Sequence, residues 1–211
     1  MEITAKSLSR IAASFSQPLN LTDRLLNTYR PFICPFHRIM GYLGSDDRVL
    51  DIGCGTGLWL NLLARTQGLS FGHGVEVNTV KVELANRVKS TADALQFSAI
   101  GPEEDWPTGD FNCLTMIDVL HHVPRREQST FMRRIDRTHV SKVIFKDIDP
   151  AAFLKSKMNT LHDLILSREL PRYCRKEVVA AWLEEMGFQI DHVGRHDMLW
   201  YSHYLIVAKR Q

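Results

Sequence analysis

Val49-Leu-Asp-Ile-Gly-Cys-Gly-Thr-Gly57 is the stretch on which the reading turns. A short apolar run over 48–52 ends in three glycines at alternate positions, and a helical pattern starts directly after them. Leu58, Trp59, Leu62 and Leu63 share one side of that helix over 58–66, and Gly68 stops it. Glycines at such a strand-to-helix junction let the main chain turn tightly and let a ligand lie against bare backbone.

Outward from this turn the chain alternates. The patterns predict strands over 70–77, 95–100, 111–117 and 140–146, with helices over 79–90 and 125–138 between them. Val80, Leu84 and Val88 form the apolar row of the first helix, Phe131 and Ile135 that of the second. The run 111–117 is almost wholly apolar, as a strand covered on both faces should be. Asp149-Pro150 opens a helix lined by Leu154, Met158, Leu161 and Ile165, and another spans 175–186, ended by Gly187. Two last strands, 188–193 and 202–208, follow with only a polar turn between them. Strand–helix alternation gives an α/β, Rossmann-like, doubly wound sheet of seven strands, mostly parallel, with an antiparallel final strand.

Toward the N-terminus, Leu21, Leu25 and Tyr29 recur at helical spacing, as do Phe36, Ile39, Met40 and Leu43 after Pro35. Pro31 and Pro35 break the stretch between them. Residues 1–45 read as a helical lid of two short amphipathic helices on a core over 46–211, all within one domain of 211 residues.

Lys plus Arg number 26 against 24 Asp plus Glu, a net charge of +2, which gives no electrostatic case for nucleic acid or an anionic membrane. No apolar run reaches the roughly 18 residues of a transmembrane span, and the first residues lack an export signal. Cys34, Cys54, Cys113 and Cys174 are scattered, without metal or redox spacing, which fits a reduced, cytoplasmic setting.

The ligand follows from charge. Glu76 lies 19 residues after Gly57, at the end of the second strand, where a carboxylate can accept both hydroxyls of a ribose. A dinucleotide site wants Gly-x-Gly-x-x-Gly, but position 58 is Leu. Asp51, two residues before Gly53, would repel a pyrophosphate and attract an ammonium or sulfonium group. That sign favours S-adenosylmethionine over NAD.

Here the chain resembles the class I S-adenosylmethionine-dependent methyltransferases of small-molecule type. Residues 49–57 match the family's first motif, with Asp51, Gly53, Cys54, Gly55 and Gly57 as cofactor residues. Glu76 in Gly74-Val-Glu-Val-Asn78 matches the ribose acid, and Val77 would border the adenine. Met116-Ile-Asp-Val-Leu-His-His-Val-Pro124 is similar to the family's segment leaving the fourth strand, and Met186-Gly-Phe-Gln-Ile190 to its junction with the sixth. Together these cover 48–210. One departure is that Pro102-Glu103 stands where the family often carries Asp-Ala, leaving Glu103 to meet the adenine amine.

The resemblance implies methyl transfer to a small-molecule or lipid-linked acceptor, at oxygen. The apolar character of 1–45 and 150–174 suggests an aromatic or acyl acceptor. His121 is the candidate general base; alternatively one of His121 and His122 packs under the cofactor and the other bonds a loop carbonyl. Asp118 either borders the methionine end of the cofactor or caps its loop. Arg30 is a candidate partner for the cofactor carboxylate, with Tyr29, Phe32 and His37 in the same lid, while Tyr173, Trp200, Tyr201 and His203 are placed to touch an acceptor or fill the sheet edge. No metal site is expected. The chain has neither the Asn-Pro-Pro-Tyr element of base-amine methyltransferases nor the paired-glutamate loop of arginine methyltransferases. A different class, a non-catalytic module of the same fold, rests on the Pro102-Glu103 departure alone.

Overall fold

The computed structural model describes residues 2–89, 94–150, 172–199 and 201–211. Five strands, β1 (Arg48–Ile52), β2 (Phe71–Glu76), β3 (Leu95–Ala99), β4 (Cys113–Ile117) and β5 (Lys142–Ile148), are followed by β6 (Gln189–Met198) and β7 (Tyr201–Lys209). They form one sheet in the order β3–β2–β1–β4–β5–β7–β6. β1 to β5 pair in parallel, and β7 runs antiparallel to both β5 and β6, so six strands share one direction and the last opposes them. The order reverses at β1, which places a crevice at the carboxyl ends of β1 and β4.

Helices cover both faces. α1 (Ala5–Phe15), α2 (Leu21–Ile33), α3 (Phe36–Ile39), α4 (Leu58–Thr66) and α5 (Thr79–Val88) lie on one face; α6 (Gln128–Arg133) and α7 (Lys176–Glu185) lie on the other. Every residue of β4 is buried, the result of cover on both sides. α4 buries residues 58–63 without a break because α1 lies outside it. The predicted helix over 125–138 is a short α6 continued by a 3-10 turn, Arg134–Thr138, with Met132 and Ile135 inward. α5 faces the sheet with Val82, Ala85 and Val88, while Val80, expected inward, is exposed. The helix expected after Asp149-Pro150, with Leu154, Met158, Leu161 and Ile165, falls outside the described residues, as does Trp200.

The N-terminal segment departs most from expectation. α1 was not foreseen, although its signals are local. Thr4 and Ser7 form a reciprocal cap, and Leu8, Ala12 and Phe15 then fall on one buried side. α2 does not end before Pro31. It runs two residues past it, and the Cys34 N–H still reaches the Arg30 carbonyl at 2.8 Å. The Leu21, Leu25 and Tyr29 row, read as the apolar side of an amphipathic helix, points outward, with Leu21 72% and Leu25 59% exposed. The inward residues are Asn27 and Pro31. A polar side can be buried this way because the neighbouring chain supplies its hydrogen bonds. By contrast, Phe36, Ile39, Met40 and Leu43 pack inward as expected, and Phe36 stacks on Trp59 with ring centroids 5.3 Å apart.

Candidate active site

β1 ends in a turn whose three glycines all take left-handed backbone, with φ of 71° at Gly53, 56° at Gly55 and 75° at Gly57. A Cβ on Gly57 would stand 2.7 Å from Phe97, and one on Gly53 2.6 Å from Val119. At Gly55 a Cβ would meet nothing within 4 Å, so that backbone borders open space. Cys54 turns the other way and packs on Gly74, where an added Cβ would lie 2.7 Å from the Cys54 Cβ. The Gly53 and Cys54 N–H groups both donate to the Val75 carbonyl, tying the turn to β2.

Glu76 closes that tie. Its Oε2 accepts from the Gly55 N–H and its Oε1 from the Asn78 N–H, each at 3.0 Å. The carboxylate therefore sits beside the glycine turn with lone pairs left to accept further hydrogen bonds. Val77 next to it is 62% exposed, an apolar surface at the mouth of the crevice. Asp51 is buried, its Oδ1 accepting from Thr115 Oγ1 at 2.7 Å. Burial pushes its carboxyl up to about 7; Glu76 adds to the rise, and Thr115 and Arg30 oppose it.

From the fourth strand the chain passes Asp118, which has a left-handed φ of 59°. Its two oxygens are taken by cations from different elements. Lys146 Nζ of β5 lies 2.5 Å from Oδ1, and Arg30 of α2 lies 2.9 Å from Oδ2. Lys146 has no exposed side-chain surface, whereas Arg30 keeps 43%. Burial works against the Asp118 charge, but Lys146 and Arg30 outweigh it and hold the carboxyl well below the ordinary range. Asp118 is thus an anchor for two cations, and Arg30 is left turned toward the crevice. Asn27 of α2 also bonds the glycine turn, accepting from Thr56 Oγ1 at 2.9 Å.

His121 sits in a 3-10 turn, Leu120–His122, and is nearly buried. Its Nδ1 lies 2.6 Å from Asp147 Oδ1, and its N–H donates to Asp147 Oδ2 at 3.2 Å. A carboxylate only accepts, so Nδ1 carries the proton and Nε2 is the basic atom of the neutral ring. Burial lowers the His121 proton affinity, yet Asp147 overcomes it and the net shift is upward. Burial and the neighbouring His121 lower His122. The His122 ring lies 4.1 Å from that of His121 and the Tyr173 ring 5.8 Å.

Other sequence candidates fall elsewhere. Glu103 is exposed and lines an outer cavity of about 560 Å³ with Arg134 and Arg137. His203 is committed to the fold, its Nε2–H donating to the Ile33 carbonyl at 2.6 Å. Tyr201 stacks on it, with centroids 5.9 Å apart. Tyr29 and Phe32 contact each other on α2 at 6.3 Å. Sequence reasoning missed Asp147, Lys146 and Asn27. Asp147 and Lys146 had a signal, two charged residues closing an apolar strand. Among the described residues no three His, Cys, Asp or Glu side chains gather to hold a metal ion.

The crevice thus offers bare backbone, two carboxylates and a half-exposed guanidinium. That set suits a nucleoside bearing an amino acid, with hydroxyls for Glu76, positive charge for Asp51 and a carboxylate for Arg30. A profile of the methyltransferase domain matches residues 27–193. No curated protein matches the chain in sequence. Among solved structures, the fold is similar to magnesium protoporphyrin IX methyltransferase of Synechocystis PCC 6803 with bound S-adenosylhomocysteine, at TM-score 0.67 and 19% identity, covering 92% of this chain and 89% of that one. It is similar to an S-adenosylmethionine-dependent methyltransferase of Mesorhizobium loti, at TM-score 0.66 and 16% identity, with 82% and 96% covered. Geranyl diphosphate C-methyltransferase of Streptomyces coelicolor A3(2) is similar at TM-score 0.65 and 14% identity, with 84% and 77% covered.

Proposed function

We propose, from the premise that this chain belongs to the methyltransferase-domain family, that it methylates an oxygen of a small organic acceptor with His121 as general base. The cofactor is S-adenosylmethionine, which supplies an activated methyl group on a sulfonium.

The residues present fit that cofactor. The open backbone at Gly55, the ribose acceptor Glu76 and the apolar Val77 line its nucleoside end. Asp51 offers negative charge to its amino-acid end, and Arg30, held by Asp118, a cation for its carboxylate. Glu103 lines a neighbouring cavity with Arg134 and Arg137, and Glu76 and Val77 are the residues on which the adenosine side of this reading rests. α2, bonded to the glycine turn through Asn27, serves as the cover over this end.

The observation that carries the oxygen reading is the His121–Asp147 pair. Displacement at a methyl group needs alignment first, and a base only where the acceptor must lose a proton. A carboxylic acid is already ionised at neutral pH; a phenol or alcohol is not. Asp147 orients the ring, fixes the tautomer and stabilises the charge that His121 takes on when Nε2 accepts the hydroxyl proton. The fold neighbours named for protoporphyrin and geranyl diphosphate support an acceptor of small-molecule size, and the apolar character of residues 1–45 is the ground for an aromatic or acyl one.

The test is a transfer assay with radiolabelled S-adenosylmethionine across phenols, alcohols, carboxylic acids and amines, run on the native chain and on His121→Gln. Transfer to a hydroxyl that falls by roughly 10²–10⁴-fold in the variant, with cofactor affinity kept, is the expected result. Equal rates in the two proteins would remove His121 from the chemistry.

A further inference from the structure

Two histidines outside the crevice meet on the sheet's edge strand, β6. His192, Gly194 and His196 alternate inward along β6, following an irregularity in its pairing between Ile190 and His192. In an extended strand, residues four apart are separated by about 13 Å at Cα. The rings of His192 and His196 nevertheless lie 6.2 Å apart and close to parallel, at 22°. Both lean over Gly194. A Cβ built there would stand 2.4 Å from Nε2 of His192 and 3.2 Å from Nε2 of His196. Two imidazole nitrogens therefore converge on the one place along this face where there is no side chain.

Neither nitrogen has a hydrogen-bond partner, and both are buried. Nδ1 of His37 on α3 is in the same condition. His37 stands close enough to His196 to depress its proton affinity electrostatically. Unpartnered polar atoms inside a protein are uncommon, and here two of them, on neighbouring imidazoles of one strand, face the same spot. The Tyr42 ring packs against His192 at 5.2 Å and walls the group on one side.

We propose that His192 and His196 chelate a divalent late first-row metal ion over Gly194. Nothing in this depends on the methyltransferase reading. Neutral imidazole is the ligand such ions take, and the two unpartnered Nε2 atoms converging over Gly194 present it twice. The nearby carboxylates are engaged elsewhere, Asp191 with Lys209 and Asp197 with Arg195. An all-nitrogen donor set excludes magnesium and calcium and selects copper, nickel or zinc, copper tightest. Among the described residues no third ligand stands at closing distance. The ion is held at two points, with water completing its shell.

The test is calorimetric titration of the full chain with zinc chloride and copper chloride, with no cofactor present. One ion per chain is expected, weakened at least about tenfold in His192→Gln and again in the double variant with His196→Gln. The paired rings of His121 and His122 are the rival site, and all these variants leave them untouched. A measurement on the unaltered chain guards against misfolded variants. Substoichiometric Cu²⁺ should broaden the amide resonances of residues 192–196 before those of 120–122. No saturable binding, broadening that begins at 120–122, or a double variant that binds as the native chain does would each overturn the proposal.

Discussion

Nδ1 of His121 and Oδ1 of Asp147 lie 2.6 Å apart, joining the turn after β4 to the end of β5 across 26 residues of sequence. Asp147 also accepts from the backbone N–H groups of His121 and Ile148, so its carboxylate is fixed from three sides. The pair sets a basic nitrogen at the carboxyl edge of the sheet and fixes which nitrogen it is.

Asp147→Asn removes the charge that raises His121. The sign is definite, because the shift is upward and a base works when deprotonated. The rising limb of the rate profile should move to lower pH in the variant while the plateau falls. Stopped assays between pH 5 and 9 check this. A limb that stays in place means that Asp147 does not tune His121. The pair's contribution to stability is whole below the ordinary histidine value of 6.5 and is lost as pH rises through the higher folded value. Denaturant titrations of the variant should lack that loss.

Asp51→Asn should act on stability and binding in opposite directions. A carboxyl raised to about 7 by burial destabilises the cofactor-free fold when ionised, and this cost fades as pH falls through 7 toward the ordinary 3.8. At pH 8 the variant should be the more stable by about 2–4 kcal/mol, and near pH 4 the difference should vanish. Its affinity for S-adenosylhomocysteine at pH 8 should be lower, since the amino group loses its counter-charge. Melting curves and calorimetry on the same samples decide the matter.

Glu76→Ala should weaken S-adenosylhomocysteine by roughly 1–3 kcal/mol, the range for bonds to a charged acceptor. It also frees the Gly55 and Asn78 N–H groups, so a smaller fall in the melting temperature of the free protein is expected. Calorimetry showing full affinity would take Glu76 out of the site.

Alanine at Gly55 and at Gly57 should separate strain from crowding. Gly55→Ala carries only the left-handed backbone cost, roughly 1–2 kcal/mol, because its Cβ meets open space. Gly57→Ala adds a clash with the Phe97 ring at 2.7 Å and should cost clearly more in denaturant titrations. In cofactor binding the ranking should reverse toward Gly55, where the proposed cofactor lies against the open side.

Asp118→Asn leaves Lys146 buried without a counter-charge, a change worth about 3–5 kcal/mol of stability. Lys146→Met in the same chain should recover a large part of it. Double-variant denaturation curves that simply add the two losses would show that the pair is not coupled.

The sequence by itself determined the sheet, the glycine turn and the acid beside it. Those features are written in adjacent residues: apolar runs of strand length, glycines where the backbone is left-handed, and Glu76 at a strand end. The tertiary structure decided the rest. Arg30 meets Asp118 across 88 residues, Asn27 meets Thr56 across 29, and Asp147 meets His121 across 26. α2 makes the reason plain. Its periodicity recorded which side is apolar, but which side is buried depends on the partners a folded neighbour offers. There Asn27 turns inward to the glycine turn, Arg30 pairs with Asp118 while staying half-exposed, and Leu21 and Leu25 face out. Helical spacing encodes the shape of a surface, whereas charge pairs exist only once distant strands have been brought side by side.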